Sequence, residues 1–207
     1  MSVKGILQSE MFYINHLSPD DEVDAQDIDQ FRIDAPEGRG LSEYLKRFAR
    51  QEEMNRSMRT YLVRDNETDE CVGYFSLKAG LISLNEFEVE VEDDATGETH
   101  IEREFDTLPG VELANFAVNS AYIEKYPYQK GVGYVIFKKF IIPMIDATSE
   151  NVGVKMVYIF ALPYGRLMKR YERYGFCRLS DSQETDLHKR LKPRYDESCK
   201  FMFLVLE

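Results

Sequence analysis

Two glycines one residue apart, Gly131 and Gly133, stand directly before an apolar stretch of helical character. Glycine has no β-carbon, so the backbone here can turn tightly and bring its N–H groups close to a ligand. A helix N-terminus adds unpaired N–H donors and about half a positive charge. The pattern predicts a seat for an anion, best suited to phosphate, although a loop that needs two flexible residues explains it equally well.

The residues expected to form this seat run without interruption along the chain. The main-chain donors should come from Gln129 to Tyr134 whatever the side chains are, because every residue there carries a backbone N–H. The predicted anion-binding residues are Tyr128, Gln129, Lys130, Gly131, Val132, Gly133 and Tyr134.

The elements that must position the loop can be read on either side of it. An apolar run of strand length covers 111–118, and the predicted helix from Val132 carries an apolar face, with Pro143 expected to kink or end it. A second apolar run at 154–162 has the composition of a central strand covered on both faces. It is followed by a helix that ends in Tyr171-Glu172-Arg173-Tyr174-Gly175-Phe176.

The order strand, glycine loop, helix, strand, helix and Tyr-Glu-X-X-Gly-Phe resembles the Gcn5-related N-acetyltransferase superfamily. The resemblance covers the last hundred residues well and the first hundred loosely. It implies an α/β fold, α+β in some schemes, with a mixed, mostly antiparallel central sheet and helices on both faces. We expect residues 1–207 to form a single domain of this kind, with an acidic β-hairpin inserted at about 86–106.

The resemblance also implies the cofactor, acetyl-CoA. In the family, a loop written Arg/Gln-X-X-Gly-X-Gly/Ala wraps the pyrophosphate; here Tyr128 occupies the first place and Gln129 lies one position late. Backbone groups of Phe116, Ala117 and Val118 would meet the pantetheine arm, where the family's strand separates from its parallel neighbour. The connection 119–127 is longer than expected and could form a lip over the cofactor.

Two residues are predicted to take part in catalysis. Tyr171 matches the family's tyrosine, whose phenol donates a proton to the CoA sulfur; the alternative is an ordinary half-buried helix tyrosine. Glu112 is a candidate general base because family members often place an acid on this strand, although a structural or solvent-facing glutamate fits equally well. Some family members use ordered water or an already neutral amine instead.

The sequence leaves three functional classes open, two of which differ in the acceptor of the acetyl group. A primary amine of a small molecule or peptide is placed first. The second class is aminoacyl-tRNA, because Phe75-Ser76-Leu77, Phe116-Ala117-Val118 and Phe160-Ala161-Leu162 look like the branch that includes toxin acetyltransferases. The basic residues Arg166, Lys169, Arg170 and Arg173 would then bind phosphates rather than face solvent alone. The third class is a catalytically silent CoA-binding regulatory module, suggested by the shifted glutamine, and a homodimer is also left open.

The charge distribution is uneven. Formal net charge is −11, but residues 20–29 contribute −6 and residues 86–106 contribute −9, so the rest carries −11 + 15 = +4. In 86–106, apolar residues alternate with acids on both sides of a predicted turn at 93–97, which predicts a hairpin with one acidic face. A solvated edge that resists aggregation is the preferred explanation; a wall that attracts a cationic acceptor is the alternative.

Length and composition set outer limits on function. At 207 residues with 43% hydrophobic content, the chain can bury a full core. Three cysteines and three histidines without ligand-like spacing predict no metal site, and each cysteine is expected to be a buried thiol. No membrane-length apolar run or signal-like N-terminal block is present, so we expect a cytoplasmic protein without membrane association.

The remaining elements predicted from pattern lie mainly in the first half. A helix should begin near Leu41, with Ser42 as a candidate cap, and reach the mid-fifties beside the acceptor site. The segment 20–29 could be a short helix or a loop, and 178–198 has no clear assignment. The strands are expected at 6–17, 59–64, 71–78 and 200–206.

Overall fold

The computed structural model describes residues 11–92, 96, 99–191, 193 and 196–206, and their side chains apart from those of 84–87 and 102–106. Within this part of the chain, seven strands form one sheet in the order β1-β2-β3-β4-β5-β7-β6. The strands are β1 Phe12–His16, β2 Arg59–Asp65, β3 Cys71–Glu92, β4 Thr99–Val118, β5 Met156–Ala161, β6 Cys177–Arg178 and β7 Lys200–Val205.

One parallel pair stands among antiparallel neighbours in the described sheet. β4 and β5 run parallel with the register Gly110 to Met156, Val111 to Val157 and Glu112 to Tyr158. The pairing ends there, although β4 continues to Val118 and β5 to Ala161. The two strands therefore separate beyond Glu112, and the mixed, mostly antiparallel sheet predicted from the sequence is confirmed.

A β-bulge lies in β4 at this point of separation. Ser76 pairs with Asn115 and Leu77 with Leu113, so Ala114 is an extra residue opposite β3. A bulge bends the strand that carries it and increases its local twist. The C-terminal part of β4 is therefore rotated relative to its N-terminal part.

Helices cover both faces of the sheet. The helices are α1 Glu22–Gln30, α2 Arg39–Arg47, α3 Ala49–Met54, α4 Ser120–Lys125, α5 Val132–Ile136, α6 Ile142–Ser149, α7 Gly165–Tyr174 and α8 Asp181–Arg190. A main core lies between the sheet residues Val111, Leu113, Val157 and Ile159 and the helices α4 to α7. On the opposite face, Leu62 and Tyr74 pack with residues of α1 and α2, and a third cluster joins Tyr158 and Phe201 to Leu187 of α8.

The helix that follows the glycine loop changes its winding before Pro143. A π-helical segment, Phe137–Ile141, separates α5 from α6. Such a segment shifts the hydrogen-bond pattern of a helix, which accommodates a proline that has no N–H to donate. The sequence predicts that Pro143 kinks or ends the helix; the helix does not end there but continues as α6 to Ser149, after the change of winding at Phe137–Ile141. Val132, Ile136, Phe140 and Met144 of its apolar face are buried.

Several predicted elements differ in detail. The first-half helix begins at Arg39, after a 3-10 turn at Pro36–Gly38, and breaks at Phe48 into α2 and α3. Ser42 is not its cap; its hydroxyl donates to the Phe31 carbonyl instead. The polar segment 178–198 contains α8, begun by a capping box in which Ser180 and Gln183 satisfy each other's backbone N–H groups.

The acidic hairpin is present as a two-stranded ribbon. Its pairing runs from Asn85 with Asp106 to Glu92 with Thr99, and Glu88, Glu90 and Glu92 are exposed. The predicted turn at 93–97 falls largely outside the described residues, as do the side chains of 102–106. The predicted first strand is observed from Phe12 to His16, and residues 1–10 lie outside the description.

Two further expectations concern the burial of the cysteine thiols and the absence of membrane-spanning segments. Cys71 and Cys199 are buried, and burial raises their thiol pKa values to about 12 and about 11. Cys177 is exposed, so the prediction of a buried thiol is wrong there, because its strand β6 lies at the edge of the sheet. No helix in the described part of the chain combines the length and apolar character needed to cross a bilayer.

Candidate active site

Gly131 shapes the predicted anion loop. Its φ of +76° lies in the left-handed region, where a β-carbon is unfavourable, and it caps the N-terminus of α5. Its carbonyl accepts from the N–H groups of Tyr134 at 2.8 Å and Val135 at 3.0 Å. The glycine therefore turns the chain into the helix without a side-chain cap.

Four consecutive N–H groups of the loop remain for a ligand. The Gln129 N–H donates to the Tyr126 carbonyl at 3.0 Å, and Tyr134 donates to Gly131, so neither is free. The N–H groups of Lys130, Gly131, Val132 and Gly133 make no hydrogen bond to any described residue. The main-chain seat therefore has four donors rather than the six expected between Gln129 and Tyr134.

A cavity of about 610 Å³ adjoins these amides. The loop contributes Gly131, Val132 and Gly133 to its lining, and Arg170 and Arg173 of α7 contribute two cations from the other side. Backbone donors at a helix N-terminus and guanidinium groups both favour phosphate oxygens. The cavity thus combines two kinds of anion-binding group contributed by separate parts of the chain.

A second cavity, of about 400 Å³, is continuous with the first. Both are lined by Val118, Gly133, Arg170 and Tyr174. The second cavity also takes in Phe116 and Ala117, which lie beyond the point where β4 leaves β5. One cleft therefore runs from the glycine loop to the separated strand ends.

Gly133 stands at the junction of the two cavities. A β-carbon at this position would lie 3.5 Å from Tyr174 Oη, 3.6 Å from Val118 Cγ2 and 3.7 Å from Phe116 Cζ. These are ordinary contact distances, so the residue is not needed to avoid a clash. Its lack of a side chain instead keeps the cleft open where the loop faces the end of β4.

Tyr171 lines the second cavity from α7. The helix ends one turn later at Gly175, whose φ of +103° reverses the chain so that the Phe176 N–H donates to the Tyr171 carbonyl at 3.1 Å. Phe176 is buried and its ring packs edge-on to that of Tyr171, with centroids 5.6 Å apart. The Tyr-Glu-X-X-Gly-Phe sequence therefore stops the helix and fixes the tyrosine in place.

The protonation of Tyr171 follows from its surroundings. Burial raises the pKa of its phenol, and Tyr174 adds to the rise, while Arg170 opposes it. The phenol therefore keeps its proton at neutral pH. Its hydroxyl makes no hydrogen bond to any residue that the structure describes, so this proton is free to be donated to a ligand.

Glu112 does not lie with Tyr171. It is not among the residues that line the two cavities; its carboxylate is 3.7 Å from Lys78 Nζ and interacts with the Tyr158 phenol. Burial, followed by the charge of Glu112, raises the pKa of Tyr158. The geometry gives no support for Glu112 as the general base, and that role remains a prediction.

The side chains of Tyr128 and Gln129 behave differently from each other. Tyr128 is 74% exposed and packs edge-on to Tyr126. The side-chain amide of Gln129 lies 2.8 Å from Tyr122 Oη, and the same phenol donates to Asp65. Because a phenol has one proton, we assign the amide nitrogen of Gln129 as the donor to Tyr122.

The connection 119–127, expected to form a lip over the cofactor, is tied to the sheet, and its Ile123 lines the cavity beside the glycine loop. It contains α4, which begins at the Asn119 cap. The Tyr126 hydroxyl donates to Glu70 at 2.8 Å, and Lys125 pairs with the same carboxylate at 2.6 Å. The turn between β2 and β3 thus supports the segment that leads into the glycine loop.

Residues from the first half of the chain complete the cleft. Ile33, Glu37 and Leu41 line the second cavity opposite Tyr164 and Arg166. Sequence reasoning placed the early helices near an acceptor site but did not single out these three, because only the folded topology brings 33–41 beside α7. In the described residues, no group of three or more His, Cys, Asp or Glu side chains could hold a metal ion.

Comparison with known proteins gives likeness in structure alone. No protein-family model matches the sequence, and no curated protein is similar to it. Among solved structures, a tyrosine-to-phenylalanine mutant of KacT is 16% identical with a TM-score of 0.62, covering 95% of each chain. AtaT complexed with acetyl-methionyl-tRNAfMet is also 16% identical, with a TM-score of 0.61 and 94% of each chain covered.

A third structure is that of a mutant AtaT toxin bound to the C-terminus of the antitoxin AtaR and to acetyl-CoA. It is 15% identical with a TM-score of 0.58, and the match covers 94% of this chain and 92% of that one. Identity at this level establishes a shared fold. The fold predicted from the glycine loop and the Tyr171 motif is thereby confirmed.

Proposed function

We propose, from the premise that this chain has the fold of the Gcn5-related N-acetyltransferases, that it transfers an acetyl group from acetyl-CoA to the amine of an aminoacyl-tRNA. One observation carries the proposal: four free loop amides and two arginines at one end of a cleft are joined to a proton-bearing Tyr171 at the other. The first end suits phosphate and the second suits a leaving thiolate.

The residues present fit acetyl-CoA. The amides of Lys130 to Gly133, with Arg170 and Arg173, would hold the phosphates. Beyond Glu112, the edge of β4 that faces β5 has no strand pairing, so its backbone can hydrogen-bond an extended amide-bearing chain such as pantetheine. When bound, acetyl-CoA supplies the acetyl group as a thioester.

Tyr171 Oη would hold the proton that the reaction needs at sulfur. The acceptor nitrogen forms a bond to the acetyl carbon as the carbon–sulfur bond breaks, and the nitrogen loses one proton to water. The leaving sulfur takes one proton from Tyr171 Oη, and exchange with water returns it to the phenol. The raised pKa of Tyr171 keeps the proton in place until the negative charge on sulfur develops.

An aminoacyl ester suits a cleft in which we assign no general base. Free α-amino groups titrate at about 7.7 to 8.0, against about 10.4 for lysine, so a larger fraction is neutral near pH 7. The carboxylate among the described lining residues is that of Glu37, which is exposed. A weakly basic acceptor amine would react here without a buried carboxylate.

The order of acceptors predicted from the sequence is reversed. That prediction put small-molecule and peptide amines ahead of tRNA because of the acidic hairpin at about 86–106, since the toxin branch is normally basic overall. AtaT is described with an acetylated methionyl-tRNA, which favours the tRNA alternative. All four basic residues of α7 are exposed; Arg170 and Arg173 are assigned to acetyl-CoA, which leaves Arg166 and Lys169 to meet a phosphate backbone.

The shifted glutamine no longer argues for a silent module. Gln129 is engaged with Tyr122, and the free donors of the loop are backbone groups that do not depend on its side chain. The residue that departs from the family pattern therefore helps to hold the loop in position, and it also lines the cavity beside the loop.

The test is an acetylation assay with radiolabelled acetyl-CoA. Aminoacylated tRNAs are compared with the same tRNAs after deacylation, and with a panel of polyamines, amino sugars and lysine peptides. We expect label on the aminoacyl group and none on deacylated tRNA. Acetylation of a small amine with no label on any aminoacyl-tRNA would refute the proposed acceptor, and no thioester consumption with any acceptor would refute the enzyme.

A further inference from the structure

The side chains that line the second cavity separate into half-buried apolar residues and exposed charged residues. Ile33, Leu41, Leu162 and Leu167 line it and are half-buried. The charged lining residues, Glu37, Arg166 and Arg170, are all exposed. The inner wall is therefore apolar and the rim is charged.

Contacts behind the cavity hold this apolar wall in place. Ile33 packs against Gly38, where an added β-carbon would lie only 2.4 Å from Ile33 Cγ2, so position 38 requires glycine. The Tyr74 hydroxyl donates to the Leu41 carbonyl at 2.6 Å, and Tyr74 is buried. The wall formed by Ile33 and Leu41 is thus supported by buried groups that do not face the ligand.

We infer that the acceptor's aminoacyl group carries an apolar side chain, which binds against Ile33 and Leu41. This inference rests on the proposed function and specifies which aminoacyl-tRNAs the site accepts. An aliphatic or aromatic side chain gains from leaving water at this wall. A carboxylate or ammonium group would lose hydration there without a polar partner on the inner wall.

The charged rim is consistent with this orientation. Arg166 is exposed and is not assigned to acetyl-CoA, so it remains accessible to the phosphates and ribose that follow the aminoacyl ester. The amine then has to lie between the apolar wall and Tyr171, which lines the same cavity. Selectivity arises because the side chain and the phosphates contact different parts of one cavity.

The experiment measures kcat/KM for tRNAs charged with leucine, phenylalanine, aspartate or lysine. We expect leucyl- and phenylalanyl-tRNA to exceed the aspartyl and lysyl forms by at least about tenfold, since burial of a charge costs more than the loss of a methylene. The variant Leu41→Lys should lower kcat/KM for leucyl-tRNA and raise it for aspartyl-tRNA. Leu41→Met should keep the original order.

Leu81→Lys is the matched control. Leu81 of β3 is 68% exposed and lines neither cavity, so this variant should leave the order of substrates unchanged. Melting temperatures identify any variant that fails to fold; Leu41→Thr then replaces Leu41→Lys and should narrow the preference for leucyl-tRNA.

Two outcomes would overturn the inference in different ways. Equal acetylation of all four charged tRNAs, or an unchanged order in a folded Leu41→Lys, would overturn the apolar pocket and leave the proposed function intact. Label on none of the four, together with acetylation of a small amine, would overturn both.

Discussion

The side-chain amide of Gln129 lies 2.8 Å from the hydroxyl of Tyr122, and that hydroxyl also donates to Asp65. Asp65 in turn accepts from the N–H groups of Glu67 at 2.8 Å and Thr68 at 3.1 Å. The side chains of Gln129, Tyr122 and Asp65 therefore each have a hydrogen-bond partner. Through them the glycine loop is connected to the turn between β2 and β3. The glutamine, which also lines the cavity beside the loop, holds the loop in position.

The variant Tyr122→Phe should weaken acetyl-CoA binding while leaving kcat at saturating acetyl-CoA nearly unchanged. The loss of the hydrogen bond with Gln129, worth about 1 kcal/mol, corresponds to roughly fivefold in dissociation constant if the loop amides are displaced. The hydrogen bond to Asp65 is lost in the same variant. Calorimetric titration with CoA measures the change directly.

Tyr13→Phe serves as the control for that variant. It also removes a phenol that donates to an aspartate, Asp69, but it lies on β1 and lines neither cavity. Equal weakening of CoA binding in both variants would show that Tyr122 acts through general stability rather than through the loop.

Tyr171→Phe should lower kcat by about 10² or more, in the range typical of a lost proton donor. Binding of CoA should change little because the phosphate-binding groups are untouched. Steady-state acetylation at saturating acetyl-CoA provides kcat, and Tyr61→Phe, a half-buried tyrosine of β2 outside both cavities, provides the control. Full activity in Tyr171→Phe would exclude the tyrosine as the proton donor.

Arg173 and Arg166 should affect different substrates. Arg173 lines only the cavity beside the loop, and Arg166 only the second cavity. We expect Arg173→Gln to raise KM for acetyl-CoA about threefold to tenfold, and Arg166→Gln to raise KM for aminoacyl-tRNA by a similar factor. Each effect should shrink at high salt.

Arg178→Gln is the control for both arginine variants. Arg178 is an exposed guanidinium paired with Glu172 at 2.7 Å, and it lines neither cavity. A shift of both KM values together in either test variant would contradict the separation of the two phosphate-binding regions.

The two glycines of the loop should respond differently to alanine. Gly131→Ala places a β-carbon at a left-handed residue and should cost about 1 kcal/mol of folding stability, although nothing lies within 4 Å of the added carbon. Gly133→Ala should be neutral or slightly stabilising because alanine favours helix, yet it should weaken CoA binding by narrowing the cleft near Tyr174. Thermal melts and calorimetry separate the two effects.

Acid should weaken the support of the loop. Burial would raise the pKa of Asp65, but hydrogen bonds from Tyr122 and from the amides of Glu67 and Thr68 outweigh it and lower that pKa. A carboxylate with a depressed folded pKa stabilises the protein above its unfolded value, about 3.9, and this contribution is lost as pH falls further. Asp65→Asn should therefore be about 1 kcal/mol less stable than wild type at pH 7, and this difference should shrink below pH 4.

Urea unfolding between pH 2.5 and 7 checks this prediction. A difference between wild type and Asp65→Asn that stays constant through the acid range would contradict the depressed pKa of Asp65.

Local pattern predicted the centre of this site, because its parts lie close together in sequence. The backbone is left-handed at Gly131 and at Gly175, where α7 ends. Both positions favour glycine, so the residue type itself indicates them. The break at Phe48 and the start of the helix at Arg39, with Gly38 rather than Ser42 at the N-cap position, are not revealed by the helical pattern.

Long-range placement could not be predicted in the same way. Glu112 has the right residue type on the right strand, yet pairing with β5 sets it beside Tyr158 rather than in the cleft. Ile33 and Leu41 reach the cleft because the segment before α2 crosses the sheet face near α7, and no spacing in the sequence marks that meeting. Neither the sequence pattern nor the described structure indicates a role for the exposed Cys177.

The three residue pairs that join β4 to β5 make a short seam between two half-sheets. A pantetheine arm bound between the separated strands beyond Glu112 would extend the hydrogen-bonded contact between β4 and β5. Such a ligand would stabilise the sheet as well as react. The two halves of the sheet would be most stable relative to each other while both substrates are bound.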